Sequence, residues 1–227
     1  MKKLFVIVMT LIIGISIFAY DDIYQDVEKA LKLSQIENKI TLMVFSSKSC
    51  IYCDKLREET FRDEKVMEIL DAGYNVVEIF PEDRETSFTI NNQEIKANYN
   101  QLSSIFGVRG TPSMFFVNSD NQVLTNLPGF VPAESFIPIL QFLGSEAYLT
   151  TDFQTFSGES SDYIGNKLIE KVDQAEADFV LNNDKNAVYI EKMSELENIF
   201  STAVVESETL AEELNESGVY RVLLKTE

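Results

Sequence analysis

The sequence contains no histidine, no tryptophan and only two cysteines among its 227 residues. The absence of histidine excludes Ser–His and Cys–His catalysis and every His-ligated metal or haem site. The two cysteines, Cys50 and Cys53, are too few for a disulfide framework, for a zinc site of cysteines alone or for a four-cysteine iron–sulfur cluster. A c-type haem attachment would need histidine after the second cysteine, where Asp54 stands. Redox chemistry of the pair therefore remains, and we expect no metal and no cofactor.

Basic residues are scarce. The sequence has 19 Lys and Arg residues and 37 Asp and Glu residues, which gives a formal net charge of −18. Such a chain is a poor candidate for binding nucleic acid or an anionic membrane surface. We interpret the acidity as a property that keeps the protein soluble. The 45% of hydrophobic residues is sufficient for a real core.

The N-terminus has the pattern of an export signal. Lys2 and Lys3 precede an apolar run from Leu4 to Phe18, and Ala19 is a small residue suited to cleavage. About 15 apolar residues is short for a membrane span of roughly 20. Residues 1–19 are therefore predicted to be a signal peptide, and the protein to be periplasmic or otherwise exported. An uncleaved membrane anchor is the alternative.

Apolar runs and capping residues predict alternating helices and strands over residues 20–149. Strands alternating with helices indicate an α/β domain with a mixed central sheet and helices on both faces. A hairpin is predicted around Asn91 and Asn92. The predicted helices are Asp22–Ser34, Cys50–Phe61, Asp63–Gly73, Asn98–Phe106 and Pro132–Leu143; the strands are Ile40–Phe45, Val76–Phe80, Ser113–Val117 and Gln122–Leu127.

The remainder of the chain differs in composition. Residues 150–162 are polar and are predicted to be a linker. Residues 163–227 form an acidic C-terminal extension of α/β or mainly helical structure, without a recognisable catalytic constellation. We predict helices at Tyr163–Leu181, after a capping box at Ser194–Glu197, and after Ser207, with strands at Ala187–Ile190, Ala203–Val205 and Val219–Leu224.

The spacing of the cysteines suits thiol–disulfide exchange, which needs an attacking thiolate and a second sulfur to resolve the mixed disulfide. Cys50 follows a predicted buried strand and begins a helix, where unpaired N–H groups and the helix dipole favour negative charge. We therefore predict Cys50 as the nucleophile and Cys53 as the resolving thiol. Lys48 is either a further source of positive potential or a solvated loop lysine.

Residues about 21–150 resemble the thioredoxin superfamily. The likeness rests on the run Met43-Val44-Phe45-Ser46 leading to the cysteines, on Gly110-Thr111-Pro112-Ser113 some 60 residues later, and on Leu127-Pro128-Gly129-Phe130. It implies a thioredoxin-like fold in which Pro112 is cis and lies against the cysteine pair. It also implies that the Thr111 backbone holds an extended substrate segment, and Tyr52 is a further candidate substrate contact. More narrowly, the chain resembles exported thioredoxin-related proteins of sulfur oxidation and disulfide reduction.

Three departures from thioredoxins proper stand out. The residues between the cysteines are Ile51-Tyr52 instead of Gly-Pro, and Ser49 stands where the family has tryptophan. The buried acid that assists proton transfer in the family would fall at Val44, which cannot carry a proton. Glu58, Glu59 or water are the remaining candidates for that role.

These observations predict an exported thiol–disulfide oxidoreductase, most simply a disulfide reductase acting on protein substrates and kept reduced by a membrane thiol donor. Because the environment outside the cytoplasm is oxidising, a reductant there needs such a partner. Two alternatives stay open. One is a disulfide oxidase or isomerase; the other is a binding module that recruits a partner through its extension. Contact with the membrane is expected only if the N-terminal segment stays uncleaved.

Overall fold

The computed structural model describes residue 20 and residues 22–226. The predicted signal segment, residues 1–19, lies outside the described residues. Among the helices in the described part, none is long and apolar enough to cross a membrane.

The first unit is built on strands that form one five-stranded sheet and one hairpin. The strands are β1 (Ile23–Tyr24), β2 (Ile40–Phe45), β3 (Tyr74–Ile79), β4 (Glu85–Ile90), β5 (Gln93–Asn98), β6 (Ser113–Val117) and β7 (Val123–Pro128). The sheet order is β1-β3-β2-β6-β7, with β1, β3 and β2 parallel and with β6 and β7 antiparallel. The predicted mixed central sheet is confirmed.

Helices cover both faces of this sheet because side chains of a strand alternate between its faces. The helices are α1 (Val27–Glu37), α2 (Ile51–Lys55), α3 (Glu64–Gly73), α4 (Tyr99–Ile105) and α5 (Ala133–Gly144). A π-helical turn, Leu56–Thr60, continues α2. Leu42 and Val44 of β2 pack into the core beneath α3 and α5, whereas Met43 and Phe45 pack beneath α1 and α4.

The structure tests the predicted hairpin and the predicted start of the first helix. The hairpin of β4 and β5 is confirmed, and Asn91 and Asn92 adopt the left-handed conformation (φ 51° and 61°) that its tight turn requires. The helix predicted from Asp22 is wrong at its start. Residues 23–24 form β1 instead, and α1 begins after Asp26, whose carboxylate caps the backbone N–H groups of Glu28 and Lys29.

The extension is a second α/β unit. After a connecting helix, α6 (Phe153–Ser157), its elements are β8 (Leu168–Val172), α7 (Gln174–Asn183), β9 (Ala187–Tyr189), β10 (Thr202–Val205), α8 (Glu208–Glu216) and β11 (Arg221–Lys225). Its four strands form a parallel sheet in the order β8-β11-β10-β9. Of the two structures predicted for the extension, α/β is the observed one.

Two helix predictions in the extension are wrong. The segment Tyr163–Leu181 is not one helix: it contains β8, and α7 begins only after Asp173, which forms a capping box with Glu176. The capping-box pattern at Ser194–Glu197 begins no helix, because a single 3-10 turn, Met193–Glu195, stands there instead.

The two units are joined by a closely packed connection. In the segment predicted as a linker, α6 places the rings of Phe153 and Phe156 5.4 and 5.3 Å from the ring of Phe142 on α5. The amide of Gln141 donates to the carbonyls of Ser161 and Tyr163, at 2.9 Å each. The extension is therefore held against the first unit.

Candidate functional site

The cysteine pair lies where β2 meets the next helix. Strand β2 ends at Phe45, a short loop follows, and Cys50 is the N-cap residue of α2 with an extended backbone. The Sγ atom of Cys50 accepts a hydrogen bond from the backbone N–H of Cys53 at 3.1 Å. The sulfur thus occupies the position of a capping oxygen at the positive end of the helix.

The two sulfurs differ in exposure. Cys50 and Cys53 form a disulfide with Cα atoms 5.2 Å apart. Cys53 is 1% exposed, whereas Cys50 is half-buried. An incoming thiolate or disulfide therefore reaches Cys50 first, which is the asymmetry that attack at one sulfur and resolution by the other requires.

The loop before β6 lies against the cysteines. The Thr111 carbonyl oxygen is 3.2 Å from the Sγ of Cys50, and the hydroxyls of Thr111 and Ser47 are 3.3 Å apart. The Thr111–Pro112 peptide bond is cis. The antiparallel pairing of Phe45 with Ser113 brings these two loops to the same end of the sheet. A disulfide sulfur has no proton to donate, so the contact with Thr111 becomes a hydrogen bond only in the reduced thiol.

An apolar surface surrounds the pair. Ile51 and Tyr52 are 79% and 61% exposed, and the Tyr52 ring is 6.4 Å from the ring of Phe130. A groove of about 390 Å³ runs beside Pro112 and is lined by Val108, Arg109, Asn126 and Gly129 among others. Exposed apolar side chains next to a groove are typical of a binding surface for another chain.

One buried acid near this site, Glu78, is not among the residues predicted from the sequence. Glu78 of β3 lies opposite Val44 in the parallel ladder and is 6% exposed. Its carboxylate accepts a hydrogen bond from the Ser46 hydroxyl at 2.5 Å and forms an ion pair with Arg57. Arg57 lies one helical turn after Cys53 and also pairs with Asp54. The available signal was a single acid within the predicted strand Val76–Phe80, whose other residues are apolar.

The other charged candidates lie on the surface. Glu58 and Glu59 are exposed, and Glu59 pairs with Lys55 at 3.5 Å. Lys48 is an exposed loop residue. Within residues 20 and 22–226, no group of three or more Asp, Glu or Cys side chains is arranged to hold a metal ion.

A mixed sheet with helices on both faces and a Cys50–Cys53 pair at a helix N-terminus define a thioredoxin-fold thiol–disulfide protein. Residues 27–144 match the thioredoxin-like domain family. The chain belongs to this family, and with its cysteine pair intact it is a thiol–disulfide oxidoreductase.

Several solved structures are similar to part of this chain. A thioredoxin-fold protein from Helicobacter pylori is 19% identical over 57% of this chain and 94% of its own, with a TM-score of 0.49. A thioredoxin from Thermus thermophilus is 20% identical over 62% and 97% of the two chains, with a TM-score of 0.42. The C-terminal domain of Neisseria meningitidis DsbD in the reduced form is 24% identical over 49% and 88%, with a TM-score of 0.38. No curated protein matches the chain.

Proposed function

We propose that the protein is an exported disulfide reductase that acts on protein substrates. In the reduced protein the Cys50 thiolate attacks a substrate disulfide, a mixed disulfide forms, and the displaced substrate thiolate takes up a proton. The Cys53 thiolate then attacks the Cys50 sulfur and releases the second substrate thiol. Two electrons pass to the substrate, and the Cys50–Cys53 disulfide is left for a thiol donor to reduce.

The direction of transfer rests on the groups around the Cys50 sulfur. One backbone N–H, that of Cys53, donates to it, and the Thr111 carbonyl oxygen faces it at 3.2 Å. The negative end of a carbonyl dipole opposes a thiolate. This carbonyl dipole offsets part of the stabilisation that the helix N-terminus gives the thiolate, and a less stabilised thiolate makes the disulfide a weaker oxidant and the dithiol a better reductant. This environment supports a reductase in preference to an oxidase.

The substrate in this proposal is an extended peptide segment carrying a disulfide. The groove beside Pro112 gives it room, and Tyr52 and Ile51 offer apolar contact next to the reactive sulfur. The Thr111 backbone would pair with the segment as an added strand does. The electron donor would be a membrane thiol protein, since the exterior of the cytoplasm does not keep thiols reduced. Mass spectrometry of exported protein is expected to show a chain that begins near Tyr20.

The decisive experiment measures insulin reduction and the redox potential of the pair. We expect Cys50→Ser and Cys53→Ser to abolish turnover, Ser49→Ala to retain it, and Cys53→Ser to accumulate a mixed disulfide. Equilibration with glutathione should give a potential nearer about −270 mV than about −120 mV. A potential near the second value would indicate an oxidase. Equal inactivity of wild type and variants with several donors, without a trapped mixed disulfide, would indicate a binding module.

A further inference from the structure

A cavity lies between the two units, away from the cysteine pair. Its volume is about 270 Å³. The first unit contributes Asn38, Ile40 and Leu143 to its wall, and the extension contributes Asn166, Leu168 and Arg221. The cavity therefore exists only because the extension packs against the first unit, and it combines polar amides, aliphatic side chains and two basic residues, Lys39 and Arg221.

Arg221, the first residue of β11, is the unusual member of this wall. Its side chain is 2% exposed, and its Nε and Nη1 atoms find no hydrogen-bond acceptor among the described residues. No described carboxylate forms an ion pair with it. Burial lowers its pKa because desolvation disfavours the charged form. Buried guanidinium N–H groups without acceptors are unfavourable, and buried charges are normally paired.

The two acids whose charges act on Arg221 already have other partners. Glu37 pairs with Lys39 at 3.4 Å and accepts a hydrogen bond from Asn75 at 2.9 Å. Glu170 accepts from the Asn38 amide at 2.9 Å. Their charges act on Arg221 only through space. The Nε and Nη1 donors of Arg221 are thus left for a group that enters the cavity.

We propose that this cavity binds a small organic anion whose carboxylate or phosphate accepts hydrogen bonds from the Arg221 guanidinium, whose Nε and Nη1 atoms lack acceptors. A planar guanidinium presents its donors in parallel pairs, Nη1 with Nη2 and Nε with Nη2, and either pair matches such a group. The apolar part of the ligand would contact Leu143 and Leu168, which lie in the same wall. The site is independent of the cysteine chemistry, and its occupation would hold the two units together.

One feature of the cavity acts against an anion and provides a matched test. Glu146 lines the cavity and is exposed to solvent. Its carboxylate repels an incoming anion, although solvent screens this repulsion. Removal of that charge by Glu146→Gln should therefore tighten anion binding, whereas Arg221→Met should abolish it. Arg62, an exposed residue outside the cavity, supplies the control Arg62→Met.

The test titrates the full chain with inorganic phosphate, acetate and benzoate at constant ionic strength set by sodium chloride. We expect a saturable rise of the melting temperature, roughly 5–10 °C at about 100 times the dissociation constant. Tighter binding of benzoate than of acetate would show the apolar contact, and tighter binding of phosphate would identify a phosphate ligand. Arg62→Met should behave as wild type, and Glu146→Gln should bind more tightly.

A second readout does not depend on the folding of any variant. The Nε–H resonance of Arg221 in a ¹⁵N-labelled wild-type chain should shift saturably with the same anions. The proposal is overturned if none of the three anions shifts that resonance or the melting temperature saturably. It is also overturned if a folded Arg221→Met chain binds them as well as wild type does.

Discussion

At the scale of single residues, the buried carboxylate next to the cysteine helix is Glu78. The family resemblance places a buried acid at Val44, and Glu78 stands on the adjacent strand directly opposite that valine. Its contacts with Ser46 and Arg57 tie the cysteine helix to the centre of the sheet. Glu78 therefore has a structural role: it anchors the segments on either side of α2, the helix that contains Cys53.

We expect Glu78→Gln to lower the free energy of unfolding by about 1–3 kcal/mol. Hydrogen bonds to charged groups contribute about 1.5–3 kcal/mol, and the partial exposure of Arg57 reduces the value of the ion pair. Glu58→Gln is the matched control, because Glu58 is exposed and lies in the same π-helical turn as Arg57. Surface substitutions usually change the free energy of unfolding by no more than about 0.5 kcal/mol. Urea denaturation of the oxidised proteins measures both. Equal stability of the two variants would contradict the anchoring role.

Asp71 of α3 gives a prediction about pH. Its Oδ1 atom has no hydrogen-bond partner, and burial, followed by the charge of Asp22, raises its pKa to about 7. A carboxyl with a raised folded pKa keeps its proton in the native state while the unfolded chain releases it above about pH 4. Its contribution to stability therefore falls as the pH rises from about 4 to 7 and stays constant above that.

Asp71→Asn should remove this loss, because asparagine stays neutral. The stability of the variant minus that of wild type should be larger at pH 8 than at pH 5, by about 1–3 kcal/mol. Urea denaturation at both pH values measures the difference. Asp54→Asn, at an exposed carboxylate, serves as the control. A stability difference between variant and wild type that does not change with pH would show that Asp71 is already ionised at pH 5.

At the scale of elements, the helices, strands and turns that could be predicted are those specified by residues close together in the sequence. Strand β2 was predicted from a short apolar run, α3 from its N-cap Asp63, and the hairpin turn from Asn91 and Asn92. The cysteine pair was predicted for the same reason, since its spacing and its strand-to-helix context lie within one short segment.

The errors arose where structure depends on distant residues. Strand β8 lies at the edge of the second sheet and pairs with β11, some 50 residues later, so its own sequence was compatible with a helix. The missed local signal was the capping box of Asp173 and Glu176. Glu78 and Arg221 escaped prediction because the burial that makes them notable comes from packing, which short-range patterns do not encode.

At the scale of the whole molecule, the extension completes a core that the first unit leaves open. Leu33 and Ile36 of α1 are 0% and 9% exposed because they pack with Val180 of α7 and Leu223 of β11. Polar contacts reinforce this junction: the Tyr24 hydroxyl donates to Asp184 at 3.1 Å. Without the extension, α1 would present an apolar stripe to water.

This shared core predicts that the two units unfold together. Leu223→Ala removes a fully buried side chain and should cost about 2–5 kcal/mol. If the units unfold together, the substitution lowers the stability of both. Hydrogen exchange of α1 amides should then accelerate as much as that of β11 amides. Val188→Ala, at the partly exposed edge strand β9, should change neither. Faster exchange in the extension alone would show that the first unit folds independently. In that case, a chain ending at residue 149 would be as stable as the first unit of the full-length protein.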